Sequence, residues 1–209
     1  MDNVLLIVDT VYVNVQTSVR TRLVDVAVEL LEREGIAAVT VRSIAREAGL
    51  SHGAPRRYLP TLTSIHVAIA QRGLGDMFER IASATERHTD AVARISAAAR
   101  EYVSFARARP EMFALMFRHD LLAGSGEGLR GTSRPMFAMV EAMLPPSDER
   151  ENHIVAVQLW TAIHGIASLA STTALTVVTD VDTIVLLNRT VASIVGSGHT
   201  TSDFTEAGS

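Results

Sequence analysis

Apolar residues recur at three- and four-residue intervals through most of the chain, and no stretch alternates in the way that would demand a strand. Leu23, Val24, Ala27, Leu30 and Leu31 form one such stripe, closed by Gly35, and predict an amphipathic helix. Val41, Ile44, Ala45 and Ala48 share a face of a second, shorter helix, with Thr40 placed to cap its start. Gly49 comes next, where a sharp turn needs a residue that tolerates positive φ. Ser51 can cap a third helix, His52 to Tyr58, and the small Ala45 lets that helix pack closely across the second. From Leu62 onward the pattern predicts helices over about 62–87, 91–108, 110–118, 131–144, 150–173 and 180–196. Pro110 falls where a first-turn proline is tolerated, and Pro145 with Pro146 closes a helix. The predicted fold class is therefore all-α.

Two short helices joined by a glycine turn have the layout of a helix-turn-helix. The third helix carries Ser51, His52, Arg56, Arg57 and Tyr58, a mix of hydroxyls, forked donors and a stackable ring suited to base edges and phosphates. The plain alternative is a pair of surface helices that happen to be separated by glycine. The elements on either side, an amphipathic helix before and a long helix after, favour the DNA-binding layout.

At these residues the chain resembles the TetR family of transcriptional regulators. The resemblance rests on A27xxLLxxxG35, on T40VRSIAREAGLSHGA54 and on Tyr58, and spans roughly Thr17 to Ile69. A weaker likeness lies in RPEMFALMF, Arg109 to Phe117, and LWTAIHGIASL, Leu159 to Leu169, which are similar to a subgroup with a Trp-x-x-x-His-Gly signature. The resemblance implies a three-helix DNA-binding domain over 17–62 and a helical ligand-binding and dimerisation domain over 63–196, with an extension at 1–16 and a tail at 197–209. It implies DNA contacts from Thr40, Arg42, Ser51, His52, Ala54, Arg56, Arg57 and Tyr58, of which Thr40 and Tyr58 would position phosphates. The chain also departs from the family. Arg56 stands where a tyrosine is usual, Leu59 where a phenylalanine is usual, and Leu62 where a lysine contacts phosphate. Losing one phosphate contact lowers affinity and flattens the salt dependence by about one unit of slope.

The chain has 209 residues, enough for one small domain and a larger one, and a hydrophobic share of 47% with 20% charged argues against disorder. Its net charge of −4 looks wrong for a DNA binder until it is divided by region. Thr17 to Tyr58 holds seven arginines against five acids, a local balance of +2 in an acidic chain. All 19 basic residues are arginine, which fits a bias toward GC-rich codons, although arginine also gives bidentate contacts. Without cysteine there is no disulfide framework or thiol site, and a cytoplasmic setting is expected. The first sixteen residues lack a basic lead and are too short to span a bilayer, so they predict no signal peptide and no membrane partner.

The middle helices concentrate aromatic and thioether side chains: Phe105, Phe113, Met116, Phe117, Met136, Phe137, Met139 and Met143. Such a cluster makes a core, and adaptable methionines also suit a cavity that accepts apolar shapes. Trp160 and His164 lie four apart on one helical face, either as a hydrogen-bonded core pair or as pocket residues, and Gly165 beside them would allow close approach of another helix. The expected pocket for a small apolar effector is Phe105, Phe113, Met116, Phe117, Phe137, Trp160 and His164. Segments 151–173 and 180–195 are apolar on more than one side, a surplus that a homodimeric four-helix bundle would cover. No cofactor or metal is expected. The glycine-rich stretch 123–131 has no lysine and no preceding strand, and the chain lacks a nucleophile elbow and His-Glu-x-x-His. An enzyme is thus the weaker class, and a helical dimer that has lost DNA binding is the other alternative.

Overall fold

The computed structural model describes residues 2–51, 53–122 and 137–197, and among these the regular structure is entirely helical. In chain order the helices are α1 (Asp2–Glu34), α2 (Val41–Glu47), α3 (Leu62–Thr85), α4 (Ala91–Ala108), α5 (Pro110–Met116) and α6 (His119–Leu122). They are succeeded by α7 (137–141), α8 (Glu149–Ser171), α9 (Ala174–Val178) and α10 (Thr183–Ser197). Short 3-10 turns sit at Ile36–Ala38 and Pro55–Arg57. Helix α1 begins at Asp2, so residues 2–16, expected to form a separate extension, continue its backbone without a break.

The described residues fall into two compact units: 2–73 with 111–122, and 74–110 with 137–197. Helix α3 therefore contributes to both, the division falling eleven residues after the 62/63 position expected from the sequence. The reason lies in the run Ile65 to Ala70, apolar but for His66 and all buried, which extends the first core well past the start of α3. In the first unit the stripe Leu23, Val24, Ala27, Leu30 and Leu31 is buried, as are Ile44, Ala45 and Ala48 of α2. Burial of this kind contributes about 1.5–3 kcal/mol for each large aliphatic side chain. Gly73 is needed for close approach: a Cβ there would come within 2.5 Å of Met112 Sδ and 2.9 Å of Met116 Sδ on α5.

In the second unit α4 packs on α8 and α10, and α10 on α8. Asp90 caps α4 through Ala93 N (2.9 Å), and Asp148 caps α8 through Arg150 N and Glu151 N. Arg80 with Glu101 (3.1 Å) and Arg109 with Asp76 (2.6 Å) tie α3 to α4 and to its C-terminal end. Both guanidiniums lie over the fully buried Phe105 ring, at 5.7 and 5.3 Å from its centroid.

Candidate nucleic-acid interface and effector pocket

The helix-turn-helix is held by its caps and its one left-handed residue. Thr40 accepts the Ser43 N–H (3.0 Å) while Ser43 Oγ accepts the Thr40 N–H (3.0 Å), a reciprocal capping box at the start of α2. Ser43 Oγ also reaches Ala38 O at 2.6 Å, fastening α2 to the turn before it. Gly49 adopts φ +67°, which lets the chain leave α2 while Leu50 N returns to Ala45 O (2.9 Å).

The segment after Gly49 is not the seven-residue helix predicted from His52 to Tyr58. Among the described residues it is a 3-10 turn, Pro55–Arg57, with Ala54 N donating to Ser51 O, Arg57 N to Ala54 O and Tyr58 N to Pro55 O. Pro55 has no N–H to donate back to Ser51, so the backbone tightens to three-residue spacing. Buried Pro55 and Leu59 anchor this turn, leaving Ser51, Arg56 and Arg57 exposed and Ala54 and Tyr58 half-buried. His52 lies outside the described residues.

Arg42 of α2 and Arg56 of the turn line one shallow depression together with Val41 and Gly53. Neighbouring cations are already engaged: Arg33 bonds Glu34 (2.7 Å) and Glu47 (3.0 Å), and Arg46 approaches Glu47 at 3.8 Å. Among the described residues no carboxylate lies within ion-pair distance of Arg42, Arg56 or Arg57, and all three are exposed. The structure thus brings Arg42 and Arg56 together at one depression, with Thr40 and Arg57 exposed on the same two elements. Leu62, standing where a lysine was the expected phosphate contact, is exposed in the first turn of α3.

Phe113, Met116 and Phe117 belong to the first unit, where Phe113 and Phe117 pack at 5.1 Å between centroids. In the second unit a small cavity of about 50 Å³ is lined by Ile81 of α3 and by Ile95, Ala98, Ala99 and Tyr102 of α4. Met139, Val140 and Met143 close it from around α7, and Leu159, Trp160 and Ile163 from α8. Trp160 alone of the expected residues lines it. Phe105 faces Arg80 and Arg109, and Phe137 packs on Trp160 at 5.6 Å.

His164 stands one turn beyond, stacked on Trp160 at 5.1 Å and 15°, with Nδ1 2.9 Å from the Tyr102 hydroxyl and Nε2 3.4 Å from Ser168 Oγ. Burial lowers the His164 value, so the ring is neutral near pH 7. Burial also pushes the Tyr102 phenol well above its usual value, opposed weakly by the Trp160 indole N–H. That N–H is itself buried and makes no hydrogen bond of normal geometry. Tyr102 was missed because nothing in its own neighbourhood marks it: its partner is 62 positions away. Within the subunit Gly165 has nothing within 4 Å of a would-be Cβ, whereas at Gly73 a neighbouring helix does come close.

Comparison with known proteins agrees with this layout at both ends of the chain. Residues 23–54 match the family described as bacterial regulatory proteins, tetR family, and residues 95–193 match the tetracyclin repressor-like C-terminal domain. An HTH-type transcriptional regulator of Mycobacterium tuberculosis (strain ATCC 25618 / H37Rv) is 26% identical over 170 residues, 78% of this chain and 74% of that protein. The nucleoid occlusion factor SlmA of Marinomonas sp. (strain MWYL1) is 26% identical over 125 residues, so the match spans 60% of this chain and less than two thirds, 63%, of SlmA. A solved protein of unknown function from Rhodococcus sp. RHA1 superposes with a TM-score of 0.73 at 25% identity, over 86% of this chain and 94% of that one. With both of its parts matched to models of one family, and the helix-turn-helix in place within the first of them, the chain belongs to the TetR family of bacterial transcriptional regulators.

Proposed function

We propose that the protein is a homodimeric, ligand-responsive repressor that binds a pseudo-palindromic DNA operator. The observation that carries this is the Thr40-capped α2 and the Gly49 turn, which present Arg42 and Arg56 at one depression and leave Arg42, Arg56 and Arg57 exposed and without an acidic partner among the described residues. Two such surfaces, one per subunit, would enter successive major grooves about 34 Å apart. Arg56 and Arg57 would supply bidentate contacts to guanine or phosphate, Arg42 a phosphate contact, and Tyr58 and Thr40 would position the backbone.

The partner subunit would dock on the outer face of α8 and α10. Ile154, Val157 and Leu169 on α8, with Val181, Ile184 and Val185 around α10, are all between 38% and 51% exposed, large apolar side chains that a second subunit would cover. Exposed Gly165 on the same helix gives a second backbone room to approach. Release would result from a small apolar effector taken up in the second unit and binding the DNA-incompetent state more tightly. A coupling of about 1–3 kcal/mol changes operator affinity roughly 5- to 150-fold.

The test is mobility shift and fluorescence anisotropy with the DNA upstream of the protein's own gene. The expected result is saturable, salt-sensitive binding of two subunits per site, with unrelated DNA bound at least roughly a thousandfold more weakly. Equal affinity for both DNAs would instead favour a helical dimer that has lost specific DNA binding.

A further inference from the structure

Among the described residues His66 is the only ionisable side chain buried in the first unit, and its Nε2 makes no hydrogen bond. A buried polar atom left unmet is costly and rare in a finished core. Two turns along the same face of α3, Gly73 packs against Met112 and Met116 of α5, which sets the imidazole toward the α5–α6 segment. Glu111 of that segment lies by Gly35, and Arg118 and Asp120 bond each other at 2.8 and 2.9 Å. On the side of α1, Asp25 is bonded to Arg72 of α3. Burial first, and the Arg118 charge second, therefore hold the His66 ring neutral. The helix that carries it is joined stiffly to the exposed turn before it. Thr61 Oγ1 accepts the Ser64 N–H (3.0 Å) and Ser64 Oγ the Thr61 N–H (3.1 Å), a capping box at the start of α3. Two residues earlier, buried Leu59 donates its N–H to Pro55 O (2.8 Å). A shift of the first turns of α3 thus carries the Pro55–Arg57 turn with it.

We infer that His66 makes DNA binding proton-sensitive: DNA is held by a closed first unit in which the imidazole is buried, and acid favours an open form in which the first turns of α3 have moved and the imidazole meets water. The inference rests on the DNA-binding proposal and adds a regulation of that same surface. Only the open form can take up the proton without burying a charge, so protons bind the two forms differently and shift the balance between them. One pH unit below its ordinary value of 6.5 an exposed imidazole is about ten to one protonated. The open form then gains up to about tenfold on the closed one, and DNA affinity falls by up to that factor. His52, a candidate DNA contact, pulls the other way, because its protonation adds a cation beside phosphate.

The test measures affinity for the DNA upstream of the protein's own gene between about pH 7.5 and 5.5 at constant salt, for the full-length wild type, His66→Phe and His66→Leu. Both variants keep every other histidine, so the difference from wild type isolates His66. Affinities should agree within about twofold at pH 7.5, and at pH 5.5 the wild type should bind at least roughly threefold more weakly than the variants. Circular dichroism should show the wild type still helical at pH 5.5. A second measurement needs no folded variant: in wild type carrying ¹³C-labelled histidine, bound DNA should lower the pH at which His66 titrates, because the coupling is reciprocal. The same pH profile in wild type and variants, a His66 titration that DNA leaves unmoved, or a wild type already unfolded at pH 5.5 would each overturn the inference. In those outcomes DNA binding at pH 7.5 still upholds the DNA-binding proposal. No specific binding at any pH would instead remove that proposal and this inference together.

Discussion

Arg33 and Arg46 share Glu47, whereas Arg42, Arg56 and Arg57 have no acidic partner among the described residues. This division predicts which arginines matter to DNA. Arg57→Ala should weaken operator binding by about 1–3 kcal/mol if it reads a guanine, while Arg33→Ala should leave affinity within about 0.5 kcal/mol. Anisotropy at fixed salt decides between them, and equal losses would remove the distinction. A second residue-level prediction concerns acid. His66 is 5% exposed with Nε2 unpartnered, and burial first, then the nearby Arg118 charge, lower its value from 6.5. The unfolded chain therefore takes up the proton before the folded one, and stability present above about pH 6.5 is lost as pH falls toward the lowered folded value. His164, lowered by burial, acts in the same direction. Urea unfolding at pH 7.5 and 5.5 should show the loss, and His66→Phe should reduce it. At this scale the sequence was only partly legible: Arg42, Arg56 and Arg57 could be picked out as exposed donors, but the Glu47 that occupies Arg33 and Arg46 could not, because ion pairing depends on how α1 and α2 pack.

Among the elements, α3 offers an internal control in two glycines two residues apart. Alanine is favoured over glycine in a helix by about 1 kcal/mol, which should stabilise Gly75→Ala because a Cβ there meets nothing within 4 Å. At Gly73 the same Cβ collides with Met112 Sδ at 2.5 Å, and overpacking of this kind costs about 1–3 kcal/mol. Chemical denaturation should thus move the two variants in opposite directions, and a stabilised Gly73→Ala would mean that α5 does not sit where described. The same contrast explains what was readable in advance. Thr40, Gly49 and the α1 stripe act through local backbone rules, and each stands where its spacing placed it. The turn at Pro55–Arg57 defied the helical pattern because one missing N–H outweighed favourable side-chain spacing.

For the whole molecule, the proposed dimer surface and the proposed reader must fail together. Ile184→Glu puts a charge in the middle of an exposed apolar face that the monomer does not need for its own core. Light scattering should show a shift from dimer to monomer, and operator affinity should fall at least roughly tenfold because one subunit presents only one half-site. The second-unit cavity was the least legible feature at this scale. The Tyr102 of its wall bonds His164 across 62 positions, a pairing that no local pattern announces. The most direct test of the central claim is the affinity of the protein for the DNA upstream of its own gene, compared with Arg56→Ala/Arg57→Ala across a range of salt. The wild type should bind with a steep salt dependence, and the double variant should lose at least roughly a hundredfold in affinity and about one to two units of salt slope. Unchanged affinity and unchanged slope in a folded double variant would contradict the assignment of this surface as the DNA reader.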